Sequence, residues 1–380
     1  MSRLDELIQE LCPAGVELRK IKEVYTRLKG TPITAGKMKE IDNPNGDIKV
    51  FAGGKTVIKA FEEDIPRANI IRVPAVLVQS RGVIDAVYYE EPFTFKNEMW
   101  AYTADEKTSV KYLYYVLKNN IQQFRVAASG MGSMPQISLK VTEEFIIPVP
   151  PLPVQSEIVR ILDNFTELTA ELTAELTAEL TARKKQYEYY RKELLTFTDD
   201  VKKVPLIDVV KIKRGVRVVK SQLAVEGEYP VFQNSMTPLG YMDKANCTGD
   251  TAFIITAGAA GEIGYTDNDF WAADDCFSFE CPQYLKSKYL YYILLCQKNT
   301  IYSKVRKASI PRLPRSAIEK LIIPVPNVDI QEKIVDVLDR FDTLCNDISK
   351  GLPAEIEARQ KQYEYYRDKL LTFKESSDEN

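Results

Sequence analysis

Two stretches of this chain are repeated further along it, and the repeat constrains the fold more than any local propensity does. Residues 146–165 (IIPVPPLPVQSEIVRILDNF) and 322–341 (IIPVPNVDIQEKIVDVLDRF) agree at 11 of 20 positions, and residues 183–197 (RKKQYEYYRKELLTF) and 359–373 (RQKQYEYYRDKLLTF) at 12 of 15. Both pairs lie 176 residues apart, so no gap separates them. Such self-similarity predicts two structurally equivalent halves. Upstream the likeness thins. KYLYYVL at 111–117 matches KYLYYIL at 288–294 with an offset of 177, and Val50-Phe51 matches Val231-Phe232 with an offset of 181. A drifting offset means small insertions in loops. Each half is therefore a variable module followed by a well-matched helical segment, dividing the chain at 1–145, 146–198, 199–321 and 322–380.

The repeat opens on IIPVP, where proline forbids helix and favours an extended entry. A helix is predicted to begin near Gln155 and again near Gln331. Apolar residues then recur at helical spacing: Ile158, Ile161, Leu162, Phe165, Leu168, Leu172, Leu176 and Leu180, answered by Ile334, Val337, Leu338, Phe341, Leu344, Ile348, Leu352 and Ile356. So narrow a stripe needs a partner helix, and the other copy is the obvious one. The first copy carries TAEL at 169–172, 173–176 and 177–180. These are strong helix formers. The second copy has Gly351 and Pro353 at the corresponding place, which should kink or interrupt its helix. In the modules, Ala75–Ser80, Val83–Tyr89, Thr251–Thr256 and Glu262–Tyr265 read as short strands. Lys111–Lys118 and Lys288–Lys298 read as helices.

The chain has 380 residues, no histidine and a formal net charge of -3. Without histidine the commonest general base and zinc ligand are missing. The six cysteines, Cys12, Cys247, Cys276, Cys281, Cys296 and Cys345, form no C-x-x-C pair and are expected to be free thiols. No apolar run reaches the ~18 residues of a membrane span, and the first residues lack a signal peptide's apolar stretch, so a cytoplasmic location is the default expectation. Phe51–Thr56 (FAGGKT) fails the phosphate-loop pattern because Lys49 stands where glycine is required. Asp42-Asn43-Pro44-Asn45 lacks the second proline and the aromatic of an amino-methyltransferase signature. Asp274-Asp275 and Glu90-Glu91 are acidic pairs without a metal pattern. No catalytic constellation and no metal site emerge.

The positive charge is unevenly placed. From Lys107 to Thr142 and from Lys286 to Ile318 there is no acidic residue, although acids outnumber bases 54 to 51 overall. Two such windows at equivalent places predict a basic surface in each half, suited to phosphates; the alternative is a solvated helix face. Both windows end in loops of small residues, 127–136 (AASGMGSMPQ) and 308–314 (ASIPRLP). Candidate DNA-contacting residues are Lys55, Gln79, Arg81, Lys118, Arg125, Ser129, Ser133 and Gln136 in the first half. In the second they are Gln233, Asn234, Ser235, Lys304, Arg306, Lys307 and Arg312. Arg prefers guanine, and Asn or Gln adenine, in the major groove. Tyr187, Tyr189 and Tyr190, repeated as Tyr363, Tyr365 and Tyr366, suit helix packing better than base stacking.

Two variable modules, each followed by a repeated IP-x-P…Q-x-x-I-V…LD segment and a long helix, resemble the specificity subunits of type I restriction-modification enzymes. The resemblance covers nearly the whole chain by architecture and is sharpest in 146–197 and 322–373. The TAEL array resembles that of the subgroup whose members vary this repeat. The resemblance implies an α+β fold: two pseudo-two-fold-related α/β target recognition domains separated by a long antiparallel two-helix coiled coil. Each domain would read one half of a split, asymmetric site in double-stranded DNA. The helices would set the spacing and dock two modification subunits that carry S-adenosylmethionine, with restriction and translocase subunits, using ATP and Mg, in the full complex. The chain itself would bind no cofactor and catalyse nothing. The competing readings are a duplicated coiled-coil scaffold that binds proteins without DNA readout, and a self-sufficient methyltransferase or nuclease.

Overall fold

A computed structural model describes residues 2–128, 134–346 and 350–376. The chain forms two compact units, one of residues 1–174 with 357–380, the other of residues 175–356. The division falls inside the TAEL array. Each unit therefore combines one module with the near end of one repeated helix and the far end of the other.

In the first unit, α1 (Arg3–Leu11) starts on a capping box, in which the Ser2 hydroxyl accepts from the Asp5 N–H and the Asp5 carboxylate accepts from the Ser2 N–H. β1 (Leu18–Lys20) is followed by β2 (Thr26–Leu28), β3 (Ile48–Phe51), β4 (Val57–Ala60), β5 (Ala75–Gln79), β6 (Asp85–Tyr89), β7 (Phe93–Phe95) and β8 (Trp100–Thr103). Helix α2 (Lys107–Asn119) and β9 (Ile146–Pro148) complete the module. The strands make an antiparallel sheet ordered β2-β8-β5-β6, a second sheet β4-β3-β7 in which β3 and β7 run parallel, and a β1-β9 pair. Residues of β5 are buried on both faces, so it reads as a continuous apolar run rather than an alternation. Val110, Tyr112, Leu113 and Val116 of α2 close one face of the core.

Helix α3 (Leu152–Leu194) is continuous over 43 residues, about 65 Å at 1.5 Å per residue. It begins three residues before Gln155. Pro153 lies in its first turn, where a missing N–H costs nothing, and the Gln155 amide donates back to the Pro150 carbonyl (2.8 Å). The second module repeats the first: β10 (Lys203–Pro205), β11 (Lys211–Arg214), β12 (Tyr229–Phe232), β13 (Tyr241–Met242), β14 (Thr251–Ile255), β15 (Ile263–Thr266), β16 (Trp271–Ala272), β17 (Cys276–Glu280), α4 (Ser287–Cys296) and β18 (Ile322–Pro324). Its sheets are ordered β11-β17-β14-β15 and β13-β12-β16, with a β10-β18 pair, strand for strand the order of the first unit. Even the parallel pair recurs, as β12 with β16. Helices α5 (Val328–Asn346) and α6 (Leu352–Leu371) are separate, so the expected interruption is found just before Pro353.

Within each unit the two helix segments pack antiparallel. In the first, Phe165 meets Tyr366 edge-on, 5.9 Å between centroids, and Thr166 hydrogen-bonds Tyr363 (3.0 Å). In the second, Phe341 stacks with Tyr190 at 5.6 Å and with Tyr187 at 6.2 Å. Phe165 and Phe341 are 176 apart, as are Tyr190 and Tyr366, so one contact is made twice with its partners exchanged. The tyrosine clusters thus serve packing through Tyr187, Tyr190, Tyr363 and Tyr366, although Tyr190 and Tyr366 keep 39% and 40% of their surface exposed, against 59% and 63% for Tyr189 and Tyr365. All six cysteines are free. Among the described residues no helix is long and apolar enough to cross a membrane.

Candidate nucleic-acid interface

The cations of the two acid-free windows are mostly engaged. Lys107, Lys111 and Lys118 pair with Glu90 (2.5 Å), Asp163 (2.8 Å) and Asp85 (2.7 Å). Lys286, Lys288 and Lys298 pair with Glu332 (2.7 Å), Asp339 (3.0 Å) and Glu262 (3.0 Å), and Arg315 pairs with Glu319 (2.7 Å). The expectation of a basic surface along both windows is corrected accordingly. Apart from Glu319, the acids lie outside the window, on a strand (Asp85), next to a strand end (Glu90, Glu262) or on the repeated helices (Asp163, Glu332, Asp339), which a count along the sequence does not see. Two of these pairs anchor helix to module. The Tyr115 hydroxyl donates to Asp163 (2.6 Å) beside Lys111, and Tyr292 donates to Asp339 beside Lys288. Burial, then the carboxylate, holds both phenols far above their usual range, so they remain donors.

What is left exposed gathers at loops. In the first unit three segments meet. The Gly54 N–H donates to the Arg81 carbonyl (2.8 Å), the Gly82 N–H to the Pro135 carbonyl (2.8 Å) and the Ile137 N–H to the Ser80 carbonyl (2.9 Å), while Arg81 and Gln136 form an antiparallel bridge. In the second unit the Ala259 N–H donates to the Asn234 carbonyl (2.9 Å), the Gly258 N–H to the Pro311 carbonyl (3.2 Å) and the Leu313 N–H to the Thr256 carbonyl (2.8 Å), while Ala257 bridges Arg312. Residues 80, 81, 82, 135, 136 and 137 become 256, 257, 258, 311, 312 and 313 on adding 176. The two hydrogen bonds among these residues and the bridge are the same in both frames, whereas the first loop is held differently, by the Gly54 N–H on the Arg81 carbonyl in one unit and by the Ala259 N–H on the Asn234 carbonyl in the other. Gly82 (φ 79°) and Gly258 (φ 77°) both occupy the left-handed region, where glycine carries no steric cost. A Cβ at Gly258 would also lie 2.7 Å from the Asn234 carbonyl oxygen, so the third loop's approach depends on its absence.

The structure brings Lys55, Arg81 and Gln136 together on the first frame, all exposed. On the second it brings Gln233, Asn234, Ser235, Arg306 and Arg312, with Lys304 and Lys307 exposed beside them. Among the described residues Lys304, Arg306, Lys307 and Arg312 have no ion-pair partner. The Gln233 amide reaches Asp274 (3.3 Å), and the Ser235 hydroxyl turns back to the Thr237 carbonyl and N–H. Three expected residues stand apart. Gln79 is only 6% exposed within β5, Lys118 is held by Asp85, and the Arg125 guanidinium donates to the Ile84 carbonyl (3.2 Å). Ser129 and Ser133 lie outside the described residues. Sequence reading does not single out Met134 and Ile310, which are 53% and 54% exposed. The signal for them lies in the offset of 176, which aligns Met134-Pro135-Gln136 with Ile310-Pro311-Arg312.

A groove of about 380 Å³ runs beside the second frame, lined among others by Arg214, Asp274, Asp275, Arg306, Ile310 and Arg312. No cluster of three or more His, Cys, Asp or Glu suited to a metal occurs among the described residues. Burial pushes the thiols of Cys12, Cys247, Cys276, Cys281 and Cys345 up, Cys281 to about 12. Such thiols stay protonated and are poor nucleophiles at neutral pH.

Residues 13–182 and 198–358 match the type I restriction modification DNA specificity domain. The chain is 34% identical over 298 residues to the EcoR124I/EcoR124II type I restriction enzyme specificity subunit of Escherichia coli, covering 71% of this chain and 72% of that one. It is 30% identical over 314 residues to the MpnII type I restriction enzyme specificity subunit of Mycoplasma pneumoniae, covering 65% and 94%. Its fold is that of a type I restriction-modification S subunit from M. genitalium (TM-score 0.56, 18% identity, 93% and 96% covered). A chain from a structural study of type I restriction-modification assembly and conformational transition is also similar (TM-score 0.68, 15% identity, 94% and 98% covered). With two matched domains covering most of its length, the chain belongs to the type I restriction modification DNA specificity family, the non-catalytic DNA-recognition component of such enzymes.

Proposed function

We propose that each unit reads one half of a split, asymmetric DNA site with its three-loop frame, and that the repeated helices dock two modification subunits. One observation carries this reading. The same backbone frame occurs once per unit, but with different side chains at its equivalent positions, Arg81 and Gln136 in one and Ala257 and Arg312 in the other. A frame that repeats while its display changes suits two different half-sites. S-adenosylmethionine would belong to the modification subunits, and ATP and Mg to restriction and translocase subunits, none to this chain. Methylome sequencing of cells carrying the complete system tests the reading, which expects one bipartite, non-palindromic motif. A continuous or palindromic motif overturns it.

On this reading the TAEL array is like that of the subgroup whose members vary this repeat, and it sets the length of the unread spacer. Four residues add about 6 Å and about 40° of rotation to an α-helix. One base pair adds about 3.4 Å and about 35°. The rotation matches one base pair, and a rotational mismatch turns a frame off its groove. Deleting residues 173–176 should therefore shorten the spacer by one base pair in the assembled enzyme. An unchanged spacer refutes the ruler.

A further inference from the structure

We propose that positions 136 and 312 are equivalent base-reading positions, Gln136 selecting adenine and Arg312 guanine at one base pair of their respective half-sites. The inference rests on the split-site reading above and names the residues that make the halves differ. Three observations support it. Both residues are exposed, at the same place in a frame fixed by the same two backbone hydrogen bonds, Gly82 or Gly258 to the proline before the reader and Ile137 or Leu313 after it to Ser80 or Thr256. Each is opposed by a bridging residue, Arg81 or Ala257, so its backbone is pinned from the neighbouring loop. Each follows a proline, whose φ is fixed, and that proline follows an exposed apolar residue, Met134 or Ile310.

The chemistry of the tripeptide is that of a groove reader. Ile310 and Arg312 line the same groove, an apolar and a guanidinium group together, and Met134 and Gln136 stand at the equivalent positions of the first unit, an apolar and an amide group. Gln forms a paired contact with adenine N6 and N7, Arg with guanine O6 and N7, and apolar side chains meet the thymine methyl. An adenine-reading Gln136 would find that methyl in the same base pair. Side chains exposed for phosphate contact alone would not need an apolar companion at the same position in both halves. Arg306 is cross-bridged to Arg312, by its N–H to the Arg312 carbonyl (2.8 Å) and the reverse (3.2 Å), which stiffens the second reader.

The test uses the assembled modification complex and a duplex library randomised through both half-sites, comparing wild type, Gln136→Arg, Arg312→Gln and Gln136→Ala by sequencing methylated products. Gln136→Arg should change the preferred base from adenine to guanine at one position of one half-site by about tenfold or more. The other half-site should be unaltered. Arg312→Gln should do the converse, and Gln136→Ala should relax the same position. Where a variant gives too little product, sequencing the gel-shifted fraction of the library reads the same preference without methyl transfer. An unchanged preference overturns the proposal, as does a loss shared by all sequences, which would make the residue a phosphate or structural contact. A wild-type complex with no bipartite preference would instead overturn the functional reading beneath it.

Discussion

Replacing Lys304, Arg306 and Lys307 together by Ala removes three exposed cations that have no ion-pair partner among the described residues. Each phosphate neutralised by a protein cation contributes about -0.9 to the slope of log affinity against log salt. Three such contacts make the wild-type slope steeper by up to about 2.7 than that of the variant. Over a fourfold rise, from about 50 to about 200 mM salt, the wild type should then lose roughly 40-fold more affinity than the variant. The loss should be uniform across sequences, because phosphates carry no base identity. The control is the triple Ala variant at Lys107, Lys111 and Lys118, each already paired with a carboxylate. Its slope should change far less, since removing a paired lysine also frees an acid. Anisotropy titrations of the assembled complex on a random duplex measure both. Equal slopes for wild type and the first variant refute the phosphate face. Equal flattening by both variants refutes the claim that pairing, rather than charge count, decides which cations matter.

Asp163→Asn in the first unit and Asp339→Asn in the second should each cost about 1–2 kcal/mol in urea unfolding of the full chain, because a lysine and a tyrosine lose their shared charged acceptor. The losses should add in the double variant, and no loss in either would show that these contacts do not hold helix to module. Stability should be flat from about pH 6 to about pH 8, since there is no histidine and buried thiols are raised. It should fall above pH 10. Burial raises Tyr25, Tyr102 and Tyr291 from 10.0 to about 12. The folded state thus holds these protons more tightly, and the stability linked to them is complete below pH 10 and lost between there and about pH 12. Denaturant midpoints across that range check the sign, and a stability rising with alkali would contradict it.

The helices were legible because helical periodicity and identity coincide over long runs. Ile158 and Leu162, fully buried at the start of α3, sit where a stripe of that spacing must. The break before Pro353 follows from the lost N–H and the ring of proline. The sheets were less legible. Their strands are two to five residues long, too short for a period, and the parallel pairing of β3 with β7 joins residues 44 apart, which local pattern cannot signal. Gln79 looked like a strand-end polar group, but β5 is buried on both faces and takes it into the interior. The ion pairs were illegible for the same reason: Lys111 and Asp163 are 52 residues apart, and only the fold shows that their charges cancel.

The candidate interface occupies the middle ground between those cases. Its loops share little identity between the halves, so similarity could not align them, yet the offset of 176 measured on the helices carries into Met134-Pro135-Gln136 and Ile310-Pro311-Arg312. What persists there is what the backbone requires: a proline at 135 and 311, and a glycine at 82 and 258 whose left-handed conformation allows the loops to close. What differs is what the backbone leaves free, Gln against Arg and Arg against Ala. Selection for an unchanged frame acts on the first set through steric cost. The second set has no such cost, so its divergence is governed by what the side chains touch. In a family that recognises DNA, that separation turns a weakly repeated loop from an uninformative stretch of sequence into the place where the two halves acquire different targets.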